Sequence, residues 1–293
     1  MYGNIQDVLI EYNVPHAGAD HKHGRPGWVQ VDCPWCGAGT GKFHMGISLS
    51  TGACACWKCG KHNTAHTLAI LTGRPRRQMR ERVDNAAMIT PPVQRTGRLV
   101  LPRGREPLTE AHKAYLAKRG LDAGAVADVW GVEGLRMPGG KWRHLRWRLF
   151  IPITHHGETV SWTTRSIRRG GQRYLSAAMD QEAVPHKQVL YGADYAVHAI
   201  IIHEGPLDVW ATGPGAVATC GVAYTDAQVR AMARYPVRCV CFDSSTDAQA
   251  RAEKLARDLS VFPGTTENVR LETGDDAADA DKEEIKELRA TYL

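Results

Sequence analysis

Residues 200–210 read IIIHEGPLDVW, and this stretch sets the fold expected for the second half of the chain. The apolar run AIIIHE at 199–204 is typical of a buried strand, and PLDVWATG at 206–213 of a short helix. Further strands and helices alternate after it: GAVATCG (215–221), TDAQVRAMARY (225–235), VRCVCFD (237–243), TDAQARAEKLARDL (246–259) and NVRLET (268–273). This alternation predicts a parallel sheet covered by helices on both faces.

Acidic residues stand where these strands end. Glu204 closes the first strand, Asp208 follows about one helical turn later, and Asp243 closes the strand VRCVCFD. The last strand leads into the acidic run GDDAADADKEE at 274–284. Because the carboxyl ends of parallel strands meet at one edge, and clustered carboxylates repel one another unless a cation lies between them, we expect a Mg²⁺ or Mn²⁺ site here. Such a site assists in-line attack at phosphorus.

Some of these polar residues also fit plainer roles. Ser245, Thr246 or Asp247 can cap the helix that follows them. Asp281 with Glu284 fits a capping box at the start of a last helix, which leaves Asp279 without a chemical role. In both cases the alternative is a helix start and not a metal ligand.

The chain has eight cysteines, and five of them fall between residues 33 and 59. Two Cys-x-x-Cys turns are formed by Cys33 with Cys36 and by Cys56 with Cys59. Each turn aims two thiolates at one point, and together they complete the tetrahedral shell that Zn²⁺ favours, so we expect a structural zinc site with no open position. Cys54 is spare and His62 is a competing ligand; four unliganded thiols in a small core are the alternative.

The residues between the two turns, GAGTGKFHMGISLSTGACA at 37–55, suit a β-ribbon that doubles back at its glycines. One face of this ribbon carries Lys42, Phe43, His44 and Lys58. Basic and aromatic side chains of this kind stack on unpaired bases and contact phosphates. A solvated ribbon face without a ligand is the alternative interpretation.

A change of composition follows the cysteine region. NTAHTLAILTG at 63–73 predicts a helix that Gly73 ends. Residues 74–106 are rich in arginine, poor in aromatic residues and contain Pro-Pro. They predict a mobile basic linker with one or two helical turns at most.

Globular patterning resumes after the linker. LTEAHKAYLAKRGL at 108–121 predicts a helix that Thr109 caps and Gly120 stops. The runs WRLFIPIT at 147–154 and TVSWTTRSI at 159–167 are separated by two histidines and a glycine, and predict a β-hairpin.

The bulk composition fits an ordinary soluble protein. Of the 293 residues, 43% are hydrophobic and 23% are charged, which allows two or three packed units. The net charge of +6 permits nucleic acid as a partner without requiring it. The first residues lack a signal-peptide pattern and no run is apolar enough to span a bilayer, so we expect a cytoplasmic protein with no membrane partner.

The motifs of the second half resemble the Toprim domain. HEGPLDVW (203–210), FDSSTDAQAR (242–251) and GDDAADA (274–280) are similar to its glutamate–glycine turn, its Asp-x-Asp motif and its later acidic strand end. The cysteine region resembles the zinc-binding domain of bacterial-type (DnaG-like) and phage primases. The middle resembles their basic subdomain through AYLAKRGL, RWRLFIPI, TTR, RYLS and HKQVLYGAD. The similarity covers nearly the whole chain apart from the linker, and looks closest to a phage-encoded primase.

This resemblance implies an α/β protein in four parts. They are a zinc-binding β-ribbon domain (1–73), a basic flexible linker (74–106), an α+β basic subdomain of an RNA polymerase domain (107–195), and a Toprim parallel-sheet subdomain (196–293).

The resemblance also implies roles for particular residues. The expected catalytic acids are Glu204, Asp208, Asp243, Asp247 and Asp276, with Glu204, Asp243 and Asp247 binding Mg²⁺ or Mn²⁺. The residues expected to bind nucleotide and template are Arg165, Arg173 and Lys187, together with Lys42 and His44 on the ribbon.

The sequence departs from the family pattern at the Asp-x-Asp motif. Here it reads Asp243-Ser-Ser-Thr-Asp247, so either two residues are inserted or Ser245 replaces the second acid. The following run DAQAR favours the insertion. In the third motif Ala277 stands where the family has proline.

The activity implied is DNA-directed RNA synthesis by a primase, which makes short primers from ribonucleoside triphosphates on single-stranded DNA. The alternatives are a non-catalytic zinc and Toprim DNA-binding recombination mediator and a Toprim nuclease. The sequence has no P-loop run, so we expect a separate replicative helicase as a partner. If the chain is phage-encoded, its location is the cytoplasm of the bacterial host.

Overall fold

The structure is a computed structural model that describes residues 5–18, 21–22, 24, 28–49, 52–89, 93, 95, 97–221 and 223–293, with the side chains of 84–89 left out. Its first part is an antiparallel sheet in strand order β1-β2-β3-β4-β5. The elements of this part are α1 (Ile5–Glu11), β1 (His16–Ala17), β2 (Trp28–Val31), β3 (Met45–Ser48), β4 (Cys54–Cys56), β5 (Gly60–His62) and α2 (Thr64–Thr72). The two helices bury Leu9 and Leu68 against Val31 and Ile47 of the sheet, which gives this small unit its own core.

The region expected to be a mobile linker begins with a helix instead. Helix α3 (Arg76–Ile89) packs against α1 and α2 and buries Met79 completely. Val83, one turn further on, packs on the same core. The expectation of one or two helical turns was therefore wrong for 76–89, because Met79 and Val83, spaced four apart, dock a helix whose first seven residues include four arginines.

The end of the expected linker is also part of the folded structure. The N–H of Val100 donates to the carbonyl of Gln181 at 2.9 Å, and the indole N–H of Trp162 donates to the Val100 carbonyl at 3.0 Å. Leu99 and Leu101 pack around the same tryptophan. Most of 90–96, including the Pro-Pro pair, lies outside the described residues.

Residues 97–195 form a second antiparallel sheet in order β6-β7-β8-β9, with two helices before it. The elements are α4 (Glu110–Ala117), α5 (Ala123–Trp130), β6 (Glu133–Leu135), β7 (Arg148–His155), β8 (Glu158–Ser166) and β9 (Tyr174–Ser176). The predicted helix and hairpin are confirmed, with Thr109 at the N-cap of α4 and the β7–β8 turn at His156 and Gly157. Both turn residues have positive φ, which suits a tight hairpin.

The predicted parallel sheet is confirmed, in order β11-β10-β12-β13. Its elements are β10 (Ala199–His203), α6 (Pro206–Thr212), β11 (Ala216–Ala218), α7 (Asp226–Met232), β12 (Val237–Val240), α8 (Thr246–Ser260), β13 (Thr265–Asn268) and α9 (Lys282–Tyr292). Ile200, Ile201 and Ile202 are fully buried in the central strand. Leu207 and Val209 of α6 share a core with Leu149 and Ile151 of β7, so the two sheets are packed as neighbours.

The fourth parallel strand ends at the residue where the predicted strand was expected to begin. It covers Thr265–Asn268, whereas the expected strand was 268–273. The apolar residue Leu271, which made the later stretch look like a strand, instead packs against Ile285 and Leu288 of α9. In the part of the chain that the structure describes, no helix has the length and apolar character needed to cross a bilayer.

Candidate active site

The four cysteines of the two Cys-x-x-Cys turns lie together. The sulfur atoms of Cys33, Cys36, Cys56 and Cys59 are all within 4.8 Å of one another. Burial alone would raise the pKa of the Cys56 thiol, but the backbone N–H groups of Cys59 and Lys58 favour its thiolate and lower that pKa to about 7. Four thiols on two turns match the tetrahedral ligand set of a closed structural zinc site.

The two other candidate ligands lie outside this group. Cys54 is buried, with its sulfur 3.5 Å from the hydroxyl of Thr67. The Nε2 atom of His62 is 3.1 Å from the sulfur of Cys59, and its ring stacks on Trp35 with centroids 3.9 Å apart. His62 therefore supports a ligand, which is the usual arrangement around a metal site.

The ribbon face presents one more aromatic group than the sequence predicted. Lys42 is exposed and His44 is half-buried beside Trp57, with ring centroids 6.2 Å apart. Trp57 is 63% exposed although it is a large apolar residue. The carboxylate of Asp32 accepts from the N–H groups of Gly41 and Phe43 and holds the loop that carries Lys42. The tryptophan inside each Cys-x-x-Cys turn was the available sequence signal.

The acids at the strand ends come from separate elements of the parallel sheet. Glu204 follows β10 and Asp243 lies just beyond β12; these strands are hydrogen-bonded neighbours, with Ile202 paired to Val240. Asp208 is buried in the first turn of α6. The central strand β10 has β11 on one side and β12 on the other, so this edge is the switch point where α/β sheets bind ligands.

The charges of these carboxylates act on one another. Burial, Glu204 and Asp276 raise the pKa of Asp243 to about 6. Burial, Asp276 and Asp243 raise the pKa of Asp208 well above its usual value. Atom Oδ1 of Asp208 is buried without a hydrogen-bond partner among the described residues. An unsatisfied carboxylate oxygen inside a group of acids fits a divalent cation with oxygen ligands.

In the described part of the chain, one of these acids, Glu204, forms an ion pair with an arginine. The guanidinium of Arg251 donates to Glu204 Oε1 at 3.1 Å. Asp276 is held by the N–H groups of Ala278 and Asp279, at 3.0 and 2.9 Å. Within the described ranges, no three of the carboxylates bring ligand oxygens within 4.8 Å of one another, so the acids surround a wider space than the thiols do.

The Asp243–Asp247 segment starts a helix. Ser245 is the N-cap of α8 and accepts from the N–H of Ala248, so the capping role of this serine is confirmed. Asp247 is exposed in the first turn, and its assignment as a metal ligand stays a prediction. The capping box proposed at α9 is wrong, because the carboxylate of Glu284 instead accepts from the N–H groups of residues 272 and 273.

A cavity lined with cations lies beside the acids. Its volume is about 550 Å³, and its charged lining residues are Lys118, Arg119, Arg165, Arg168, Arg169, Arg173 and Asp279. Six cations therefore face one carboxylate. We call this space the cationic cavity.

Two of the predicted basic residues belong to this cavity. Arg165 is nearly buried; its Nε donates to the hydroxyl of Tyr115 at 2.9 Å, and its guanidinium lies 4.8 Å from the ring centre of Tyr174. Arg173 is exposed on the loop before β9. The buried guanidinium of Arg148 holds this loop by donating to the carbonyls of residues 172 and 173.

The cavity and the acids adjoin one another. The hydroxyl of Tyr174 lies 3.4 Å from where a Cβ on Gly205 would be, and Gly205 is in the turn between Glu204 and Asp208. Arg119 lines the cavity and also counters the rise in the pKa of Asp276 that burial and Asp279 cause. A larger or charged side chain at position 205 would therefore disturb both the acids and the cationic cavity.

Lys187, the third predicted basic residue, has a different environment. Its ammonium donates to the carbonyls of Thr219, Cys220 and Ala223 at 3.3, 3.1 and 2.8 Å. Burial lowers its pKa. These contacts tie the loop after β11 to the body of the protein.

Four cations of the cavity were not found from the sequence: Lys118, Arg119, Arg168 and Arg169. Arg168 and Arg169 stand in the run SIRRGGQR between β8 and β9, where arginines beside a glycine turn were the available signal. Lys118 and Arg119 follow α4, and they reach the cavity only because α4 packs beside the hairpin.

No protein-family model and no curated protein sequence matches the chain. Among solved structures, the Aquifex aeolicus primase fragment with zinc-binding and RNA polymerase domains is similar over 99% of this chain and 83% of that chain, with a TM-score of 0.54 and 14% identity. The DnaG primase catalytic domain bound to single-stranded DNA is similar over 64% of this chain and 73% of that chain, with a TM-score of 0.50 and 18% identity.

A third similar structure is the RNA polymerase domain of Mycobacterium tuberculosis DnaG primase. It is similar over 63% of this chain and 78% of that chain, with a TM-score of 0.50 and 20% identity. The chain therefore has the fold of a bacterial primase zinc-binding and RNA polymerase unit. The resemblance that the sequence indicated is confirmed at the level of the fold.

Proposed function

We propose that the protein is a primase, which synthesises short RNA primers on single-stranded DNA from ribonucleoside triphosphates. The observation that supports this most is that the acid group adjoins the cationic cavity: Tyr174, whose ring contacts Arg165, interacts electrostatically with Asp208, and the cavity residue Arg119 interacts with Asp276. Cations next to acids supply the two environments that nucleotidyl transfer requires, since the substrates are polyanions and the reaction needs divalent metal.

The cavity side chains bind the anionic substrates. The hydroxyl of Tyr115 and the ring of Tyr174 position the guanidinium of Arg165, so it loses little conformational freedom when phosphate binds. Arg173, on the exposed loop, contacts the template or nucleotide phosphates. The aromatic and basic ribbon face, with Lys42, His44 and Trp57, contacts unpaired template bases.

The acid group holds the metal. Glu204, Asp243, Asp208 and Asp276 are the residues that surround the space for Mg²⁺ or Mn²⁺, and Asp247 is a further candidate on the edge. A bound divalent ion supplies positive charge that offsets the triphosphate and the charge developing in the transition state. In the reaction, the 3′-hydroxyl gives up its proton to a base, its oxygen bonds to the α-phosphorus, the bond from that phosphorus to the bridging oxygen breaks, and pyrophosphate leaves. Glu204 is the acid–base or metal-linked glutamate of this step.

The test is an RNA synthesis assay with single-stranded DNA, labelled ribonucleotides and Mg²⁺. We expect short RNA products from the wild-type protein and at least a 10²-fold loss of product in Glu204→Gln, because charge stabilisation in a preorganised site has effects of this size. Glu287→Gln, an exposed glutamate on α9, is the control and should retain activity.

The same assay separates the alternatives. DNA binding by the wild-type protein without RNA synthesis would support the recombination mediator. Cleavage of the DNA strand without synthesis would support the nuclease. Either result would contradict the proposal.

A further inference from the structure

A second cavity, of about 510 Å³, lies between helices α5, α6 and α9. It shares Arg119 with the cationic cavity, and its other lining residues are different. The loop 277–280 and the turn after α6 complete its walls. We call it the helical groove.

The floor of the helical groove is apolar and made of small residues. Ala125 and Val129 of α5 and Ala211 of α6 contribute exposed or partly exposed apolar surface to it. Trp130 and Trp210 also line it, but each is only 7% exposed. The tryptophan faces are therefore covered, so the floor offers room for aliphatic side chains and no platform on which a nucleobase can stack.

The rim of the groove is basic. Lys282, Lys286 and Arg289 lie four and three residues apart on α9, which places them with Ile285 on one face of that helix. Arg119, which also lines the cationic cavity, is a fourth cation of the lining. Arg289 is anchored, since its guanidinium donates to the carbonyls of residues 212 and 214.

Lys282 and Lys286 are available to a ligand. The ammonium group of Lys282 has no hydrogen bond or ion pair in the described part of the chain. Lys286 is 3.3 Å from Glu283, but both side chains are at least 76% exposed, so this pair is weak. Asp122 is the one acid of the lining, and its carboxylate already accepts from the N–H of Ala125 at 2.6 Å. An occupant must therefore bring negative charge together with apolar side chains.

We propose that the helical groove binds an acidic amphipathic helix of a protein partner. Aliphatic side chains at successive turns of that helix fill the floor, and its carboxylates meet Lys282, Lys286 and Arg119 on the rim. This is the arrangement by which amphipathic helices bind in grooves. The covered tryptophans favour a peptide over a strand of nucleic acid, which would need exposed aromatic faces.

The test uses two fluorescein-labelled peptides of identical composition with the full-length, zinc-loaded protein. EDLLEEILDELF places its apolar residues on one face of a helix, and LELDIEFELDLE does not. Fluorescence anisotropy should show the first peptide binding at least tenfold more tightly than the second. Equal affinity for the two peptides, or no binding of either, would overturn the proposal.

Substitutions locate the binding. Lys286→Glu reverses a rim charge, and Ala125→Glu adds volume and negative charge to the floor in the first turn of α5, where a carboxylate favours the helix. Each substitution should lower the affinity for the first peptide at least tenfold and leave the circular dichroism spectrum of the protein unchanged. Arg103→Glu, an exposed arginine that lines neither cavity, makes the same change in net charge as Lys286→Glu and should leave the affinity unchanged.

Two further results would overturn the proposal. If Arg169→Ala lowers the affinity for the first peptide and Lys286→Glu does not, the peptide binds in the cationic cavity. If Lys286→Glu weakens binding of a twenty-nucleotide oligo-dT more than it weakens the peptide, the groove is a path for nucleic acid. Neither readout depends on RNA synthesis, so the result stands apart from the proposed function.

Discussion

The zinc ribbon and the acid group are two sets of metal ligands built in opposite ways. Four thiols from one short stretch, residues 33–59, lie within 4.8 Å of one another. The acids come from separate elements spread from Glu204 to Asp276, and in the described residues no three of them approach so closely. The thiols form a closed shell, and the acids border an open space.

The difference teaches which charges serve the fold and which are kept for a ligand. A closed thiolate shell is satisfied by its ion and adds to folding. The buried acids raise one another's pKa values, so they disfavour the folded state until a cation or a proton arrives. The same contrast separates Lys187, which is satisfied by carbonyl oxygens, from Arg173, which is exposed in the cationic cavity.

The largest expected effect is on the ribbon. Zinc binding to sites of this kind contributes about 10–16 kcal/mol to folding, so Cys59→Ser should release zinc and unfold residues 5–73. Zinc content by atomic emission and limited proteolysis measure this. Cys54→Ser is the matched control, because Cys54 lies outside the sulfur cluster, and it should keep its zinc. If Cys59→Ser keeps its zinc, the four cysteines do not form a closed ligand shell, and the contrast with the acid group fails.

The next effect distinguishes Lys187 from Arg173. Lys187→Met leaves the carbonyl oxygens of Cys220 and Ala223 without this donor, whereas that of Thr219 still accepts from Gln228, and should lower the free energy of unfolding by about 1–3 kcal/mol. Arg173→Ala should leave that free energy unchanged within about 0.5 kcal/mol. Its effect should appear in the salt dependence of single-stranded DNA binding, whose logarithmic slope falls by about 0.7 for each lost phosphate contact.

Urea unfolding and anisotropy titrations at several salt concentrations measure the two quantities. If the slope falls in Lys187→Met and the stability does not, Lys187 is a phosphate ligand and belongs with the cavity.

A smaller effect concerns pH. The pKa of Asp243 is about 6 in the fold against 3.8 for the free side chain, so the folded state binds the extra proton between those values. Stability from this group is therefore present at low pH and is lost as pH rises from about 4 to 6. In magnesium-free buffer Asp243→Asn should be more stable than the wild type by about 1–2 kcal/mol at pH 7, with solvent screening allowed for, and equal to it at pH 4.

The difference between the two proteins at each pH is the relevant quantity, because acid release of zinc affects both equally. A difference that does not change between pH 4 and 7 would show that the acids do not destabilise the metal-free fold.

The smallest effect is expected for Asp247. Its carboxylate is exposed in the first turn of α8, so Asp247→Asn should lower RNA synthesis less than Asp243→Asn does. Parallel rate measurements at saturating Mg²⁺ make the comparison. Equal losses would place Asp247 among the central ligands, as the inserted Asp-x-Asp motif implies.

The sequence predicted the parts of the molecule that depend on local pattern. The spacing of the cysteines predicted the cluster of four thiols that the structure has. The acids at the strand ends predicted that Glu204 and Asp243 follow strands of one sheet, and these strands are neighbours. Both predictions succeeded because each signal lies within a short segment. Helix α3 was missed because four arginines stand in its first seven residues and, among its described side chains at 76–83, Met79 is the fully buried one.

The cavity was harder to predict because it depends on tertiary packing. Arg119 and Arg169 are far apart in sequence and face one space only when α4 lies beside the β8–β9 loop. The role of Lys187 in binding phosphate stays a prediction, and its carbonyl partners could not be predicted because they lie on a loop that is distant in sequence. The sequence pattern therefore predicts which residue types form a site, whereas their contact partners depend on tertiary packing.

The most direct test of the account is Mn²⁺ binding followed by electron paramagnetic resonance in the zinc-loaded protein. If the strand-end acids surround a divalent ion, the wild type binds Mn²⁺, Asp243→Asn weakens it at least tenfold, and Asp226→Asn, an exposed acid on α7, leaves it unchanged. Equal Mn²⁺ affinity in all three proteins, or none in the wild type, would contradict the account.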